Sequence, residues 1–353
     1  MLWYIYSPDF KRMGAIEKIT TMRWTRRWHT AGAFELEMPY DKSVFNELKC
    51  ENLIRHGNEA GIIEYVRLST DESGENIVCG GRFLLGYAAR RLVLGTVSIA
   101  APAETVMTQL VIDNMMRGGG RAFAGLAVAA TQGRGTAMDY QATNANLLTE
   151  IENISMLSGL GVTIDTGGSS MTFRALQGVD RTAGQSANPR AIFSAEFENV
   201  LTQEYDIDTG DSGTVAIVAS DKDSLVETVG TATGRLRREI YVAASELDKD
   251  ENGNALNEAQ KRALMQQQGK TALANAPISE SFTAEVNPYG NLKYRTHYDL
   301  GDIITVSSKR WGVQVDARIT EITEVYGADG ETLELTLGYQ ESIKKILGRM
   351  ATA

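Results

Sequence analysis

Between residues 281 and 339 the sequence alternates so regularly that a sheet is the natural way to accommodate it. Ile303, Thr305 and Ser307 share one strand face and Ile304 and Val306 the other; Val313 and Val315, then Ile319 and Ile322, carry the pattern through two further strands. A period of two rich in β-branched residues marks half-buried antiparallel strands. The turns fall at Gly301, at Trp311-Gly312 and at Ala328-Asp329-Gly330. Asp-Gly is the dipeptide that tolerates the positive φ of a tight hairpin. In the last strand Leu333, Leu335 and Leu337 occupy one face and Thr332, Glu334 and Thr336 the other. A sheet curling around those leucines predicts a small β-barrel or sandwich.

The same order of signals occurs once more, near the start. Residues 52–54, 61–66, 71–74 and 77–85 follow the order of 302–304, 317–325, 329–330 and 333–338. An internal repeat of this kind predicts two related small β-barrel domains.

A chain of 353 residues has room for two or three domains. Its hydrophobic share of 43% and charged share of 23% are those of a chain that buries cores. The formal net charge of −10 opposes nonspecific binding along DNA, which needs clustered Lys and Arg. Two cysteines, Cys50 and Cys79, make no disulfide scaffold; both are expected to be small buried groups, and three histidines leave little material for a zinc site. No apolar run approaches the ~20 residues of a membrane span, so no stable membrane insertion is expected. Residues 1–8 read as a first strand made in the cytoplasm rather than as a signal peptide.

Taken in order, residues 1–92 form the first barrel domain. Its most distinctive piece is 22–29, where Trp24, Arg26 and Trp28 share one face and Arg23, Thr25, Arg27 and His29 the other. Basic residues interleaved with aromatics suit nucleic acid. In an acidic chain the preferred reading is tryptophans packed on a neighbouring domain and arginines paired with acids. Residues 93–182 form a small α+β domain. Strand signals stop after Arg90-Arg91; a helix follows Pro102 and buries Met107, Leu110, Val111 and Met115; Gly118-Gly-Gly120 ends it. The Gly-rich stretch 117–136 lacks a phosphate-loop signature and reads as a flexible surface loop. A second helix, capped by Thr143 or Asn144, buries Leu147, Ile151 and Ile154 and stops at Gly159. A hairpin turns at Gly167-Gly168, and 178–189 links onward. The second barrel domain takes 190–242 and 277–340, its early strands at 198–207, 215–219 and 239–242 completing the sheet. A helical insertion at 243–276, interrupted at Gly269, packs on it, and 341–353 is a short basic helix or tail.

Chemistry is sparse. Asp248, Asp250 and Asn252 followed by Gly253 match the start of a calcium loop, but its twelfth position is Ala259 and Glu258 falls one short; an acidic turn capping the next helix is the preferred reading. Glu321 and Glu324 are an odd number apart, hence on opposite strand faces, and are expected to face solvent rather than act as a glycosidase pair. No hydrolase elbow or His-Glu-x-x-His pair occurs. No catalytic, cofactor-binding or metal-binding residue is assigned, no cofactor is expected, and the chain is read as no enzyme.

The run Thr30-Ala-Gly-Ala-Phe-Glu-Leu-Glu-Met-Pro39 within 24–40, with 57–64, Tyr298-Asp-Leu-Gly-Asp302 and Ala317-Arg-Ile-Thr-Glu-Ile-Thr-Glu324 before an Asp-Gly turn, resembles the tail-hub family. These are the tail-tip or baseplate hub proteins of long-tailed bacteriophages, and the siphophage branch is the most similar. The resemblance covers most of the chain. It implies a virion structural protein of the tail tip: a homotrimer at the distal end of the tail, each chain giving two related barrels so that three chains meet the sixfold tail tube. The implied partners are the distal tail protein, the tail tube, the tape-measure protein and receptor-binding or fibre proteins, with DNA passing through the channel without specific binding. Longer relatives carry C-terminal extensions that reach or degrade the cell surface, whereas this chain stops soon after Gly338, which assigns those tasks to other chains. The alternative is a host-surface carbohydrate or receptor-binding module presenting Trp3, Trp24, Trp28 or Trp311; a tail-associated hydrolase ranks third.

Overall fold

A computed structural model describes residues 2–71, 74–168, 170–222, 224–244, 247, 255–277, 279–328 and 330–338. The first region runs β1 (Trp3–Tyr6), β2 (Arg12–Ile16), β3 (Thr21–Arg27), β4 (Ala33–Pro39), α1 (Lys42–Glu47), β5 (Leu53–His56), β6 (Glu59–Ile62), β7 (Tyr65–Asp71) and β8 (Gly74–Arg82). Alternation decides its faces: in β4, Phe34, Leu36 and Met38 are buried while Glu35 is exposed. Strands pair as β2-β1-β5-β6 in one sheet and β3-β4-β8-β7 in another, enclosing Trp3, Ile5, Met22, Trp24 and Leu36. Asp41 caps α1 by accepting from the Ser43 and Val44 amides. Cys79 is buried, but Cys50 is exposed, contrary to expectation.

Strands do not stop after Arg91. β9 (Thr96–Pro102) leads directly into α2 (Ala103–Val111), with Pro102 at the N-cap rather than inside the first turn. Met107, Leu110, Val111 and Met115 are buried as the helical spacing requires. The 117–136 stretch is more than a loop: β10 (Leu126–Val128) joins a sheet in parallel, and the Gln132 and Arg134 amides donate to the Glu104 carboxylate. β11 (Ala137–Thr143) pairs with β9. The cap of α3 (Leu147–Ser158) is Asn146, because Thr143 still belongs to β11 and Asn144 takes a left-handed φ of 46°. Leu147, Ile151 and Ile154 are buried and Gly159 ends the helix at φ 72°. β12 (Gly161–Gly167) and β13 (Ser170–Leu176) form the expected hairpin.

The third region contains β14 (Ile192–Phe193), β15 (Val200–Asp208), β16 (Val215–Ser220), β17 (Leu225–Val229), β18 (Glu239–Ala243), α4 (Glu258–Asn275), β19 (Ser279–Val286), β20 (Ile303–Ser308), β21 (Val313–Gly327) and β22 (Gly330–Gly338). Of the early strands only β14 and β15 join the main sheet. β16 and β18, with the unforeseen β17, make a separate three-stranded sheet under α4, with a small core of Ala216, Val218, Met265 and Leu273. The helix runs through Gly269 without a break. Glycine is there for proximity: a Cβ would stand 2.5 Å from the Val229 Cγ2. The acidic run 248–252 and the tail 341–353 lie outside the described residues, as does Asp329.

The two stretches expected as separate strands in the third region, around Val315 and around Ile322, are one 15-residue strand. Its register slips between Ile319 and Glu321, so one extra residue lets Ile319 and Ile322, an odd number apart, both point inward. Leu333, Leu335 and Leu337 are buried as the alternation requires.

Both strand-rich regions contribute to one ten-stranded sheet whose main path is β15-β19-β22-β21-β3-β4-β8-β7. Setting the hairpin end Asp71 and Gly74 on Gly327 and Gly330, the registers place Ile77 with Leu333, Cys79 with Leu335, Phe34 with Phe282, Leu36 with Ala284 and Trp24 with Tyr205. Upstream, Leu53 pairs with Ile62 as Ile303 pairs with Arg318. The repeat read in the sequence is thus a repeat of pairing order: β3-β4-β8-β7 in the first region, β15-β19-β22-β21 in the third.

Candidate functional site

The two repeats meet along a single pair of strands. β3 and β21 pair antiparallel from Thr21 opposite Gly327 to Arg27 opposite Glu321. β3 is basic because Arg23, Arg26 and Arg27 fall within seven residues, and the facing part of β21 supplies Glu321 and Glu324. Arg27 donates to Glu321 at 2.6 Å, Arg23 reaches Glu334 one strand further on at 2.8 Å, and the Thr25 and Thr323 hydroxyls lie 3.1 Å apart. All three arginines are paired with acids, as the sequence suggested, and offer no basic stripe for nucleic acid.

The other face of the seam holds a buried polar network. Glu324, expected to face solvent, is 2% exposed. Its carboxylate accepts from Tyr294 at 2.8 Å, Arg295 at 2.9 Å and Tyr326 at 2.6 Å, and the His56 Nε2 lies 3.7 Å away. Burial pushes this carboxyl up, but the bonds from Tyr326, Arg295 and Tyr294 outweigh it and hold the group below its ordinary range. Arg26 donates to Glu59 at 2.5 Å, to Asp299 at 2.5 Å and to the Tyr294 hydroxyl at 2.9 Å, while the Trp24 indole donates to Glu59 at 2.9 Å. Burial opposes the Arg26 charge, yet Glu59, Tyr294 and Asp299 raise its pKa. Burial also lowers the pKa of His56, against the pull of Glu324. Arg295 adopts a left-handed φ of 61°, a costly conformation that aims its guanidinium at Glu324. Charges of both signs alternate through β3, β5, β6, β21 and the 287–302 connection, which locks the two repeats in one orientation. The sequence had singled out Glu324 and Arg26 separately; Tyr294, Arg295 and Glu59 went unnoticed because nothing local shows that the connection folds over that strand face.

Trp28 ties the seam to the end of α3 and to β12. Its indole donates to the Gly159 carbonyl at 3.2 Å, and the Val162 amide donates to its carbonyl at 3.0 Å. Its ring also occupies the space a side chain at Gly301 would need; that turn has φ 88°, so two constraints select glycine there. Next to it the Nδ1 of His29 lies 2.8 Å from the Ser155 hydroxyl, which itself donates to the Leu160 carbonyl, so Nδ1 carries the proton. Burial, with the nearby Arg318 charge, lowers this imidazole to about 4.

At its ends the sheet is open: among the described residues β7 pairs only with β8 and β15 only with β19. Leu68 is 54% exposed and Ile207 54%. The tryptophans proposed for sugar stacking are mostly unavailable, since Trp3, Trp24 and Trp28 are buried and Trp311 alone is exposed. Among the described residues no cluster of His, Cys, Asp and Glu could hold a metal ion, and no helix is long and apolar enough to cross a membrane.

Over residues 2–339 the chain matches the siphovirus ReqiPepy6 Gp37-like protein family. No curated protein matches it in sequence. Among solved structures it is similar to a tail protein from Neisseria meningitidis MC58, at TM-score 0.60 and 15% identity, covering 96% of this chain and 97% of that one. It is also similar to the 43 kDa tail protein of prophage MuSo2 from Shewanella oneidensis, at TM-score 0.57 and 14% identity over 96% and 98%. The prophage tail protein gp18 from Listeria monocytogenes EGD-e follows at 0.52 and 12% over 99% and 98%. At such identities the likeness is one of fold, and the fold is shared along nearly the whole chain.

Proposed function

This chain belongs to the siphovirus ReqiPepy6 Gp37-like protein family, and from that premise we propose that it is a structural protein of a phage tail, the homotrimeric hub at the tail tip. The three solved proteins described above are tail proteins. One observation carries the finer reading: the pairing order β15-β19-β22-β21 is followed in the same sheet by its repeat, β3-β4-β8-β7. A ring of three such chains offers two similar connecting surfaces per chain, which is what joining a threefold ring to a sixfold tube requires. The domains that do this are 1–92 and, in two pieces, 190–242 and 277–340, with 93–182 as the α+β domain outside them. The tail tube, reached through the distal tail protein, docks on that ring. Tape-measure protein and DNA leave through its channel, and receptor-binding or fibre proteins attach around it. The acidic balance of the chain keeps DNA from adhering.

The function is geometric and needs no catalysis. The pairing of the β3 arginines with acids counts against nucleic-acid binding, and the burial of Trp3, Trp24 and Trp28 leaves Trp311 as the tryptophan open to a carbohydrate. Native mass spectrometry of the chain mixed with its distal tail partner tests the stoichiometry: three copies of this chain per complex support the hub, and a stable complex with one copy, or two, contradicts it.

A further inference from the structure

We infer that the surface where residues 91–94 cross the glycine loop 117–123 docks an extended acidic segment of another protein, with carboxylates on Arg91 and Arg121 and aliphatic side chains on Leu92 and Leu94. The surface lies in the α+β region, outside both repeats, and is independent of the hub reading. Residues 90–94 and 117–121 carry four arginines. Arg90 donates to Glu51 at 2.6 Å and Arg117 to Asp113 at 2.6 Å, so those two acids are taken. Arg91 donates instead to the Arg121 and Arg90 carbonyls, both at 3.0 Å. Arg121 donates to the Leu92 carbonyl at 2.5 Å and to the Asn114 side-chain oxygen at 3.4 Å. Among the described residues neither Arg91 nor Arg121 has a carboxylate partner, in a chain whose formal net charge is −10. Burial, and then the Arg121 and Arg90 charges, lowers the pKa of Arg91.

The two guanidinium groups are fixed in place before any partner arrives. That of Arg91 lies over the Phe123 ring, 4.2 Å from its centroid, and the carbonyl bonds hold both while leaving further N–H donors free. Fixed donors spare a partner the cost of ordering them. The apolar half follows from the extended course of 91–94. The Val93 amide donates to the Ala145 carbonyl at 2.9 Å and the Leu147 amide to the Arg91 carbonyl at 3.0 Å. Val93 is buried, so Leu92 and Leu94 on either side of it point outward together, 49% and 55% exposed. Gly118 and Gly120, at φ 81° and 77° with nothing within 4 Å of where a Cβ would stand, keep the loop low beside them. A partner that satisfies both halves alternates carboxylates with aliphatic side chains. A phosphate polymer would meet the arginines and leave the leucines in water, whereas a purely apolar segment would bury the charges unpaired.

Fluorescence anisotropy of the full-length chain with two labelled hexapeptides, one alternating Glu with Leu and one alternating Gln with Leu, tests this. The Glu peptide is expected to bind at least about tenfold more tightly, and to lose that advantage as salt rises from about 50 mM to about 500 mM. Arg91→Gln with Arg121→Gln is expected to abolish the preference, Leu92→Ser with Leu94→Ser to weaken both peptides alike, and Arg117→Gln, whose charge is already paired, to change neither. Equal affinity for the two peptides, binding of neither, or a preference that survives the loss of both arginines overturns the inference. Displacement of the Glu peptide by inorganic tripolyphosphate, together with no effect of the serine substitutions, also overturns it and makes the surface a phosphate site. Should the arginine variants fold poorly, a photo-crosslinking group on the Glu peptide locates its site on the unaltered chain by mass spectrometry. Adducts within 90–94 or 117–123 support the inference, and adducts elsewhere overturn it.

Discussion

The seam between β3 and β21 and the open edges of β7 and β15 are the same position in the repeat, once filled and once vacant. Where it is filled, Glu324 sits beneath Tyr294, Arg295 and Tyr326; at the equivalent place on β7, Leu68 lies at the surface. A junction that never opens tolerates buried charge, since every member has a partner from the moment the chain folds. An edge that stands in water carries side chains that need no buried partner, and exposed Leu68 beside Arg67 meets that condition where an unpartnered buried carboxylate would not.

The largest difference is expected from breaking that contrast directly. Glu324→Ala takes from Tyr294, Arg295 and Tyr326 the acceptor they share, leaving Arg295 only its longer 3.8 Å approach to Glu59, and removing one member of a buried ion pair costs about 3–5 kcal/mol. Leu68→Ala, its counterpart on the free edge, is expected to change the unfolding free energy of the isolated chain by less than about 0.5 kcal/mol. Urea unfolding of the two variants checks this, and equal effects would mean that the seam is not the closed form of the edge.

The strand next to the seam sharpens it. Leu335→Ala, at 1% exposure, is expected to cost about 2–5 kcal/mol, and Glu334→Ala, whose pair with Arg23 is close to half exposed, at most about 1 kcal/mol. A loss at Glu334 as large as at Leu335 would show that the alternation has been assigned to the wrong face.

A smaller, pH-dependent effect belongs to His29, two residues beyond the seam. Its pKa falls from 6.5 to about 4 on folding, so between those values the unfolded chain binds the proton and the folded chain does not. Stability is therefore full above pH 6.5 and declines as the pH drops toward 4, by up to a few kcal/mol. Glu324, held low in the folded state, acts in the same direction at lower pH. Thermal melts from pH 7 to 4 are expected to show the decline, and His29→Gln to flatten its upper limb; an unchanged limb would remove His29 from the account.

Much of the sheet was legible because alternation, Asp-Gly turns and glycine stops are local. The repeat was legible too: the stretches matched in sequence, 52–54 with 302–304 and 77–85 with 333–338, are those the ladders align. What escaped depends on distant partners. Ile319 and Ile322 are out of phase for a regular strand, and only the ladder with β22 reveals the bulge that lets both point inward. β16 and β18 carry ordinary strand signals, and nothing in them says that α4 draws them into a sheet of their own. Gly269 looks like a break until Val229 is placed against it. Glu324 looks solvent-facing until the 287–302 connection covers it.

The most direct test of the hub is an image of the tail tip. Cryo-electron microscopy of tails is expected to show three copies of this chain around an axial channel, with regions 1–92 and 190–340 alternating around one ring. Any other copy number, or repeats that do not alternate in that ring, would contradict it.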